Sequence, residues 1–541
     1  MQPHEQMLWA MLKQQQKNAG WIALAAIICT AIFLRFGRFD LIEFKADEAN
    51  AMQLALDAIH NRALPLFGLM SSVHVQNPPL FIDLLIPVVA LCTSLAFITS
   101  FIASTGTAAV IVCWHIGRKY YGTSVGLIAA ALFAVSPWAV VFSRKIWAQD
   151  LVPLFAALAL WAVHALVLGR NRRAIFWVVL LPLCVIQIHF SGFAMAAAIC
   201  CILLLLRPAF DWRFAAGGAA AAFILLAPYL YYQTHNGWAD FRLATQIVRG
   251  NPFGGTSGGD FRYLKHALGI VNGGEMDALL QSDTPKFEER LTFENLALGF
   301  QRFIFVSAVI YLVLFIARGI RWSKKFPWTA VESDEAKTSW ILICWVVVPL
   351  AVYAGVRLST MLSYYVLFYP APYLLCAVIW HKLWSKARQS FPARGLLCGA
   401  LGIILVANFS FVLNLYTFLA GNGGAHEYGT ILRYKRQAVA YLAGNTGVSQ
   451  LQKENRLVEM VRFGRLNSPR LHFPVLATLT KAAPAAPAIP ADTAVMIVDR
   501  YQTNFTDEQW SLLAALPRQE FGPIQLYFVP ASRINSGTLS F

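Results

Sequence analysis

Residues 19–36 read AGWIALAAIICTAIFLRF, and this stretch decides what kind of protein the chain is. About 20 apolar residues in a helix cross a hydrocarbon core of about 30 Å. The run follows a polar segment, residues 1–18, and no small-residue cleavage pattern comes after it, so it reads as a retained anchor and not as a removed signal peptide. Comparable runs recur at 98–116, 125–142, 151–168, 174–190, 193–206, 214–232, 297–316, 340–356, 365–380 and 395–419, which predicts about eleven spans. Composition agrees. Of 541 residues, 57% are hydrophobic and 13% charged, too little polar surface to cover a soluble globule.

The loops orient the bundle. With a cytoplasmic N-terminus, the basic groups Arg118–Lys119, Arg170 with Arg172 and Arg173, Arg207 with Arg213, and those at 318–325 and 382–394 all fall inside, as the positive-inside rule requires. The outer loops are then 37–97 and 233–296, and the tail 420–541 is extracytoplasmic. The expected location is the plasma (inner) membrane, multi-pass. The formal charge of +16 is spent on this topology, so nucleic acid is not an expected partner. All nine cysteines lie in apolar runs, which argues against a disulfide framework. Residues 80–95 are apolar, yet an extra crossing there would invert every later loop. With Asp83 and Pro87, they read as an interfacial or re-entrant helix. In the tail, 493–498 and 525–529 have strand character and 431–442 is helical, which gives a small α/β domain. Residues 482–491 form a stiff, proline-rich connector, and 251–260 a glycine-rich loop without the lysine of a phosphate loop. The predicted fold class is thus an all-α polytopic membrane domain, 19–419, with a small soluble α/β domain behind it.

The chemistry-bearing residues gather in the outer segments. Asp47 and Glu48 open a stretch with apolar residues at helical spacing, an amphipathic helix lying on the membrane. Carboxylates there cap free N–H groups, and Asp150, just before a span, invites the same reading. Taken in order, the set is Asp47-Glu48, Asn77-Pro78-Pro79, Ser143-Arg144 with Asp150, residues 187–192 around His189, and Tyr364-Tyr365 ahead of Tyr369-Pro370. In order and shared outer location it resembles the C-superfamily (GT-C) of membrane glycosyltransferases that use polyprenyl-phosphate sugars, in the branch of protein O-mannosyltransferases and lipid A aminoarabinose transferases. The resemblance covers roughly residues 19–419. It implies that Asp47 is the catalytic base with Glu48 beside it, that Arg144, assisted by Lys145, contacts the donor phosphate, and that Asp150 arranges the acceptor. It also implies as partners a polyprenyl-phosphate-linked sugar and an extracytoplasmic lipid, glycan or protein. One departure stands out: relatives often carry a charge directly before the paired prolines, where this chain has Gln76 and Asn77.

Glycosyl transfer needs such groups. A carboxylate takes the attacking hydroxyl's proton, and cations hold the departing phosphate. Arg357 is a further outer cation, while interfacial snorkelling is the plain alternative for all three basic residues. His189 with Glu48 or His74 would suit a divalent metal, although a histidine at a span end more often serves structure. Tyr364 and Tyr365 are candidate substrate contacts or interfacial belt aromatics. A transporter or flippase would place ionisable groups at the bilayer midplane and show repeated halves. Neither is visible in the sequence, and a polysaccharide polymerase is the remaining alternative.

Overall fold

The computed structural model describes residues 3–71, 74–250, 262–322, 333–356, 360–445, 451, 456–461, 464–466, 475–476, 479, 489–501, 503 and 505–532. All eleven expected spans fall on helical segments. Among the described residues seven helices are long and apolar enough to cross a membrane, and the bent pair Leu362–Phe368 and Ala371–Gln389, at 55°, makes an eighth. The other expected crossings are shorter. Residues 125–142 divide at Ser136-Pro137 into Thr123–Val135 and Pro137–Val141, because a proline lacks the N–H that would continue the helix. Residues 174–190 and 193–206 give Ile175–Ile188 and Gly192–Leu206.

Helix α1 (Pro3–Phe36) leads through an extended segment to α2 (Ala46–Asn61), whose buried face carries Ala49, Ala51, Met52, Ala55 and Ala58. That face packs on α3 (Leu80–Leu91) through Leu80, Phe81, Ile82, Leu85 and Val89. Twelve residues of helix reach only about 18 Å, so α3 is too short to span, as its charge and proline lead one to expect. Helices α4 (Leu95–Tyr120) and α5 (Thr123–Val135) approach closely where Gly117 meets Gly126: a Cβ on Gly117 would lie 2.5 Å from the Gly126 Cα. Small residues permit this contact, as in many membrane helix pairs.

The tail forms the expected α/β unit. A two-residue hairpin, β1 (Gly424–Ala425) and β2 (Gly429–Thr430), precedes helix Leu432–Asn445. A five-stranded sheet follows in the order β4-β3-β5-β7-β6, built from β3 (Leu457–Val461), β4 (Gly464–Leu466), β5 (Thr493–Asp499), β6 (Arg518–Phe521) and β7 (Ile524–Pro530). Only β3 and β5 pair in parallel. The period of two sorts the faces: Ala494, Met496 and Val498 pack with Leu513 of the helix Asp507–Ala514, whereas Val495 and Ile497 join the core of the membrane domain. Residues 251–260 and most of the connector 482–491 lie outside the described residues.

Candidate active site

The chain leaves α1 through Arg38, in the left-handed region at φ 56°, makes a short turn at Phe39–Leu41 and enters α2 at Ala46. The first turn of α2 settles which acid does the capping. Glu48, buried, accepts the Lys45 main-chain N–H at 2.8 Å, the N3 half of a capping box. Asp47 is exposed, and its Oδ2 accepts a hydrogen bond from Trp147 Nε1 at 2.9 Å. With the N-terminus of the helix served by its neighbour, Asp47 is available for chemistry. It lines a cavity of about 240 Å³ between α2 and the hairpin 68–77.

The segment 143–150 is pinned against this turn. The Lys145 ammonium pairs with Glu43 and, at 3.3 Å, with Glu48; it also sits 4.3 Å from the centre of the Trp147 ring. Its main-chain N–H donates to Asp150 Oδ2 at 3.1 Å, while Asp150 Oδ1 has no hydrogen-bond partner among the described residues. Two buried carboxylates, Glu43 and Glu48, thus pair with the Lys145 ammonium, Glu43 also with Lys45 at 3.8 Å, and the buried Asp150 takes the main-chain N–H. Burial, and next the charge of Asp47, raise Glu48 above the usual carboxylate range. Burial pushes Lys145 down to about 8 against the pull of Asp150 and Glu427.

The C-terminal domain closes the far side. Lys45 Nζ donates to the Glu427 carbonyl at 2.7 Å, and Tyr428 Oη donates to the Leu41 carbonyl at 2.7 Å. Leu432 N–H donates to the Ile42 carbonyl at 2.9 Å, and the buried Lys435 Nζ to the Phe44 carbonyl at 2.8 Å. The extended segment before α2 therefore takes its hydrogen bonds from the tail, which puts both at the same end of the bundle.

Arg144, which the resemblance implies contacts the donor phosphate, turns to main-chain carbonyls. Its buried guanidinium donates to the carbonyls of Leu34 and Arg38 at 2.8 Å each and to that of Gly37, and packs 4.4 Å from the Tyr416 ring. These are the orphan carbonyls at the end of α1, so Arg144 is a helix C-cap. Arg35, fully buried, does the same for α5, donating to Phe133 and Ala134 at 3.2 and 2.8 Å.

The remaining candidates are scattered. His189 ends the helix Ile175–Ile188, accepts the Ser191 N–H on Nδ1 at 3.2 Å and packs against Tyr364 with ring centres 4.8 Å apart. Tyr365 is buried and bonds Thr360 at 3.0 Å. His74 stands exposed on the hairpin at the cavity rim, and Arg357 lies outside the described residues. Among the described residues no group of three His, Cys, Asp or Glu side chains could hold a metal ion, so Glu48, His74 and His189 do not converge on one. Sequence reasoning missed Glu43, Lys45 and Trp147, although all three fall within a few residues of Asp47 or Asp150. It also missed His266, paired with Glu275, whose φ of 65° is unusual for a glutamate.

No protein-family model and no curated protein matches this sequence. Solved structures do. ArnT from Cupriavidus metallidurans in the apo state superposes with a TM-score of 0.54 at 13% identity, over 95% of this chain and 99% of that one. ArnT bound to undecaprenyl phosphate gives 0.54 at 14%, over 94% and 98%. The Archaeoglobus fulgidus oligosaccharyltransferase tethered with an acceptor peptide gives 0.47 at 12%, over 87% and 64%. Spread over nearly the full length of both chains at such low identity, the ArnT likeness is one of fold: this integral membrane protein is folded like ArnT.

Proposed function

We propose that the protein is a membrane glycosyltransferase that moves a sugar from a polyprenyl-phosphate donor to an extracytoplasmic acceptor, with Asp47 as general base. The observation that carries this reading is the division of labour in the first turn of α2, where Glu48 caps the helix and Asp47, held through one oxygen by Trp147, opens onto a cavity. A solved protein of the same fold binds undecaprenyl phosphate, which supports the donor class. In the reaction the acceptor hydroxyl gives its proton to the Asp47 carboxylate, its oxygen bonds to the anomeric carbon, and the carbon–phosphate oxygen bond breaks. The electron pair leaves with the polyprenyl phosphate. Asp150 accepts the Lys145 main-chain N–H behind this turn, outside the cavity lining. Lys145, paired with Glu48 beside the base, and Arg144 act on the departing phosphate through potential and not through a fork. The tail and the loop holding Asp47 share one end of the bundle, in keeping with an odd number of crossings from a cytoplasmic N-terminus.

The test is consumption of lipid-linked sugar. Purified protein in nanodiscs, given polyprenyl-phosphate sugars and an envelope extract, should release polyprenyl phosphate, and mass spectrometry of envelope glycans with and without the protein should reveal the sugar added. A wild-type protein that leaves every lipid-linked sugar intact would refute the reading.

A further inference from the structure

The cavity beside Asp47 has a chemical character of its own. One wall is α2, through Asp47, Asn50 and Leu54; the other is the hairpin, through Ser71, His74 and Gln76. The hairpin is well fixed. Gly68 N–H donates to the Asn77 carbonyl at 2.7 Å and Asn77 N–H to the Leu69 carbonyl at 3.0 Å, and Met70 bridges Gln76. A Cβ on Gly68 would lie 2.6 Å from the Pro78 carbonyl oxygen, so only glycine fits. The hairpin is also tied to the outer end of the helix Trp212–His235, where Tyr229 Oη donates to the Gln76 carbonyl at 2.9 Å.

The lining is rich in acceptors and poor in cations. Asp47 is a carboxylate, and Asn50 and Gln76 add two uncharged amide side chains to the lining. Ser71 Oγ already accepts the Val75 N–H at 3.2 Å. No lysine or arginine lines the cavity among the described residues, and the imidazole of His74 is its one basic group. The nearest ammonium groups are engaged elsewhere, Lys45 with the Glu427 carbonyl and Lys145 with Glu43 and Glu48. Carboxylate, amide and hydroxyl groups all form hydrogen bonds with hydroxyls. A hydroxyl-bearing sugar ring supplies several. A phosphate supplies only acceptor oxygens and negative charge, and it would meet the Asp47 carboxylate with neither guanidinium nor ammonium to hold it. At about 240 Å³ the space is also below the roughly 300 Å³ of ordinary small-molecule pockets, which suits one ring and not a whole lipid headgroup.

We infer that this cavity is the acceptor subsite and takes an uncharged, hydroxyl-rich group, a sugar ring of a glycan, in preference to a phosphate-bearing one. The inference rests on the glycosyltransferase reading for the word acceptor, but the binding preference can be measured without turnover. Saturation-transfer NMR on the full-length detergent-solubilised protein, with methyl glucoside and methyl glucoside 6-phosphate as probes, should give a signal for the neutral sugar at least about tenfold above that for its phosphate. Asn50→Leu combined with Gln76→Leu should remove the neutral-sugar signal. Gln76→Glu keeps an acceptor at that position and serves as the folded control, retaining methyl glucoside and weakening the phosphate further. Equal or stronger binding of the 6-phosphate, or a glucoside signal indifferent to these substitutions, overturns the inference. Release of polyprenyl phosphate, followed in the same preparations, separates the two ideas. Sugar binding without donor turnover ends the glycosyltransferase reading alone, and turnover with phosphate-selective binding ends the acceptor assignment alone.

Discussion

Arg144 and Lys145 are neighbours in sequence and opposites in the fold. The guanidinium of Arg144 turns to main-chain carbonyls at the end of α1, next to Arg35, which caps α5 in the same way. Every strong contact there is to a neutral acceptor, with Arg35 Nε buried and without a hydrogen-bond partner among the described residues. The ammonium of Lys145 turns the other way, to the carboxylates of Glu43 and Glu48, while its main-chain N–H meets Asp150, whose Oδ1 has no hydrogen-bond partner among the described residues. The first cluster closes the backbone of two helices. The second sets ammonium groups against carboxylates, with the exposed Asp47 at its edge, and it is here that the proposed reaction is placed. Burial of charge alone does not mark a site.

The largest effect that could break this comparison comes from Arg144. Replacing it with Ala leaves the Gly37 and Arg38 carbonyls without their donor, while Leu34 keeps Tyr416 at 2.6 Å. A fully buried orphan costs about 1–3 kcal/mol against a total stability of roughly 5–15, and these part-buried carbonyls fall at the low end. Both Arg144→Ala and Arg144→Lys should therefore lower the yield of monodisperse protein and its thermal midpoint, because one ammonium cannot reach several diverging carbonyls. If Arg144→Ala melts with the wild type and instead raises the KM for lipid-linked sugar, the guanidinium belongs to the donor site and the contrast dissolves.

Next comes Asp47→Asn. Losing a general base lowers the rate by about 10²–10⁴-fold, whereas stability should hardly change because the cap belongs to Glu48. The converse change, Glu48→Gln, should shift stability more than Asp47→Asn does. Near-normal sugar transfer by the Asn variant, measured with purified protein in nanodiscs, would move the base elsewhere, and Asp150→Asn is the parallel control.

These contrasts show how far the sequence could be read. Hydrophobic run length placed helical segments at all eleven expected runs, of which seven, with the bent pair as an eighth, are long and apolar enough to cross a membrane among the described residues. It overstated 125–142, where Ser136-Pro137 breaks the helix. Strand alternation found β5 and β7 but could not tell that one face of β5 is covered by the membrane domain. Within the site, Asp47, Glu48, Lys145 and Asp150 come together as their order implied. Which carboxylate caps and which basic residue turns inward depends on side-chain direction at the end of a helix, and adjacent residues carry no pattern that reveals it. Lys435 and Glu427 reach the segment 43–45 across nearly the whole chain, so no local signal could have joined them.

A smaller effect is expected at Trp147. Its indole N–H fixes one oxygen of Asp47 at the surface, and a hydrogen bond to a charged group contributes about 1.5–3 kcal/mol, with exposure favouring the low end. Trp147→Phe should reduce kcat roughly tenfold with the donor KM unchanged. Trp147→Gln, which keeps an N–H, should recover part of the loss. A change in KM alone would mean that the ring packs against substrate and does not orient the base.

The finest test is the alkaline limb that Lys145 should impose. Its ammonium is held down to about 8 by burial, below the ordinary 10.5. Between those values the unfolded chain still carries the proton that the folded chain has released, so this group makes the protein more stable as pH rises through that window. Activity should run the opposite way. Once Lys145 is neutral, the ion pairs to Glu43 and Glu48 vanish and their unbalanced charge stands beside the reacting phosphate. Transfer should therefore fall above a pH of about 8 while the thermal midpoint holds or rises. Lys145→Arg keeps the cation throughout, so its activity should stay level through the same window even if its maximum is lower. A wild-type limb that survives unchanged in the arginine variant would assign the titration to another group, and Lys145 would then stand with Arg144 among the residues that only build the fold.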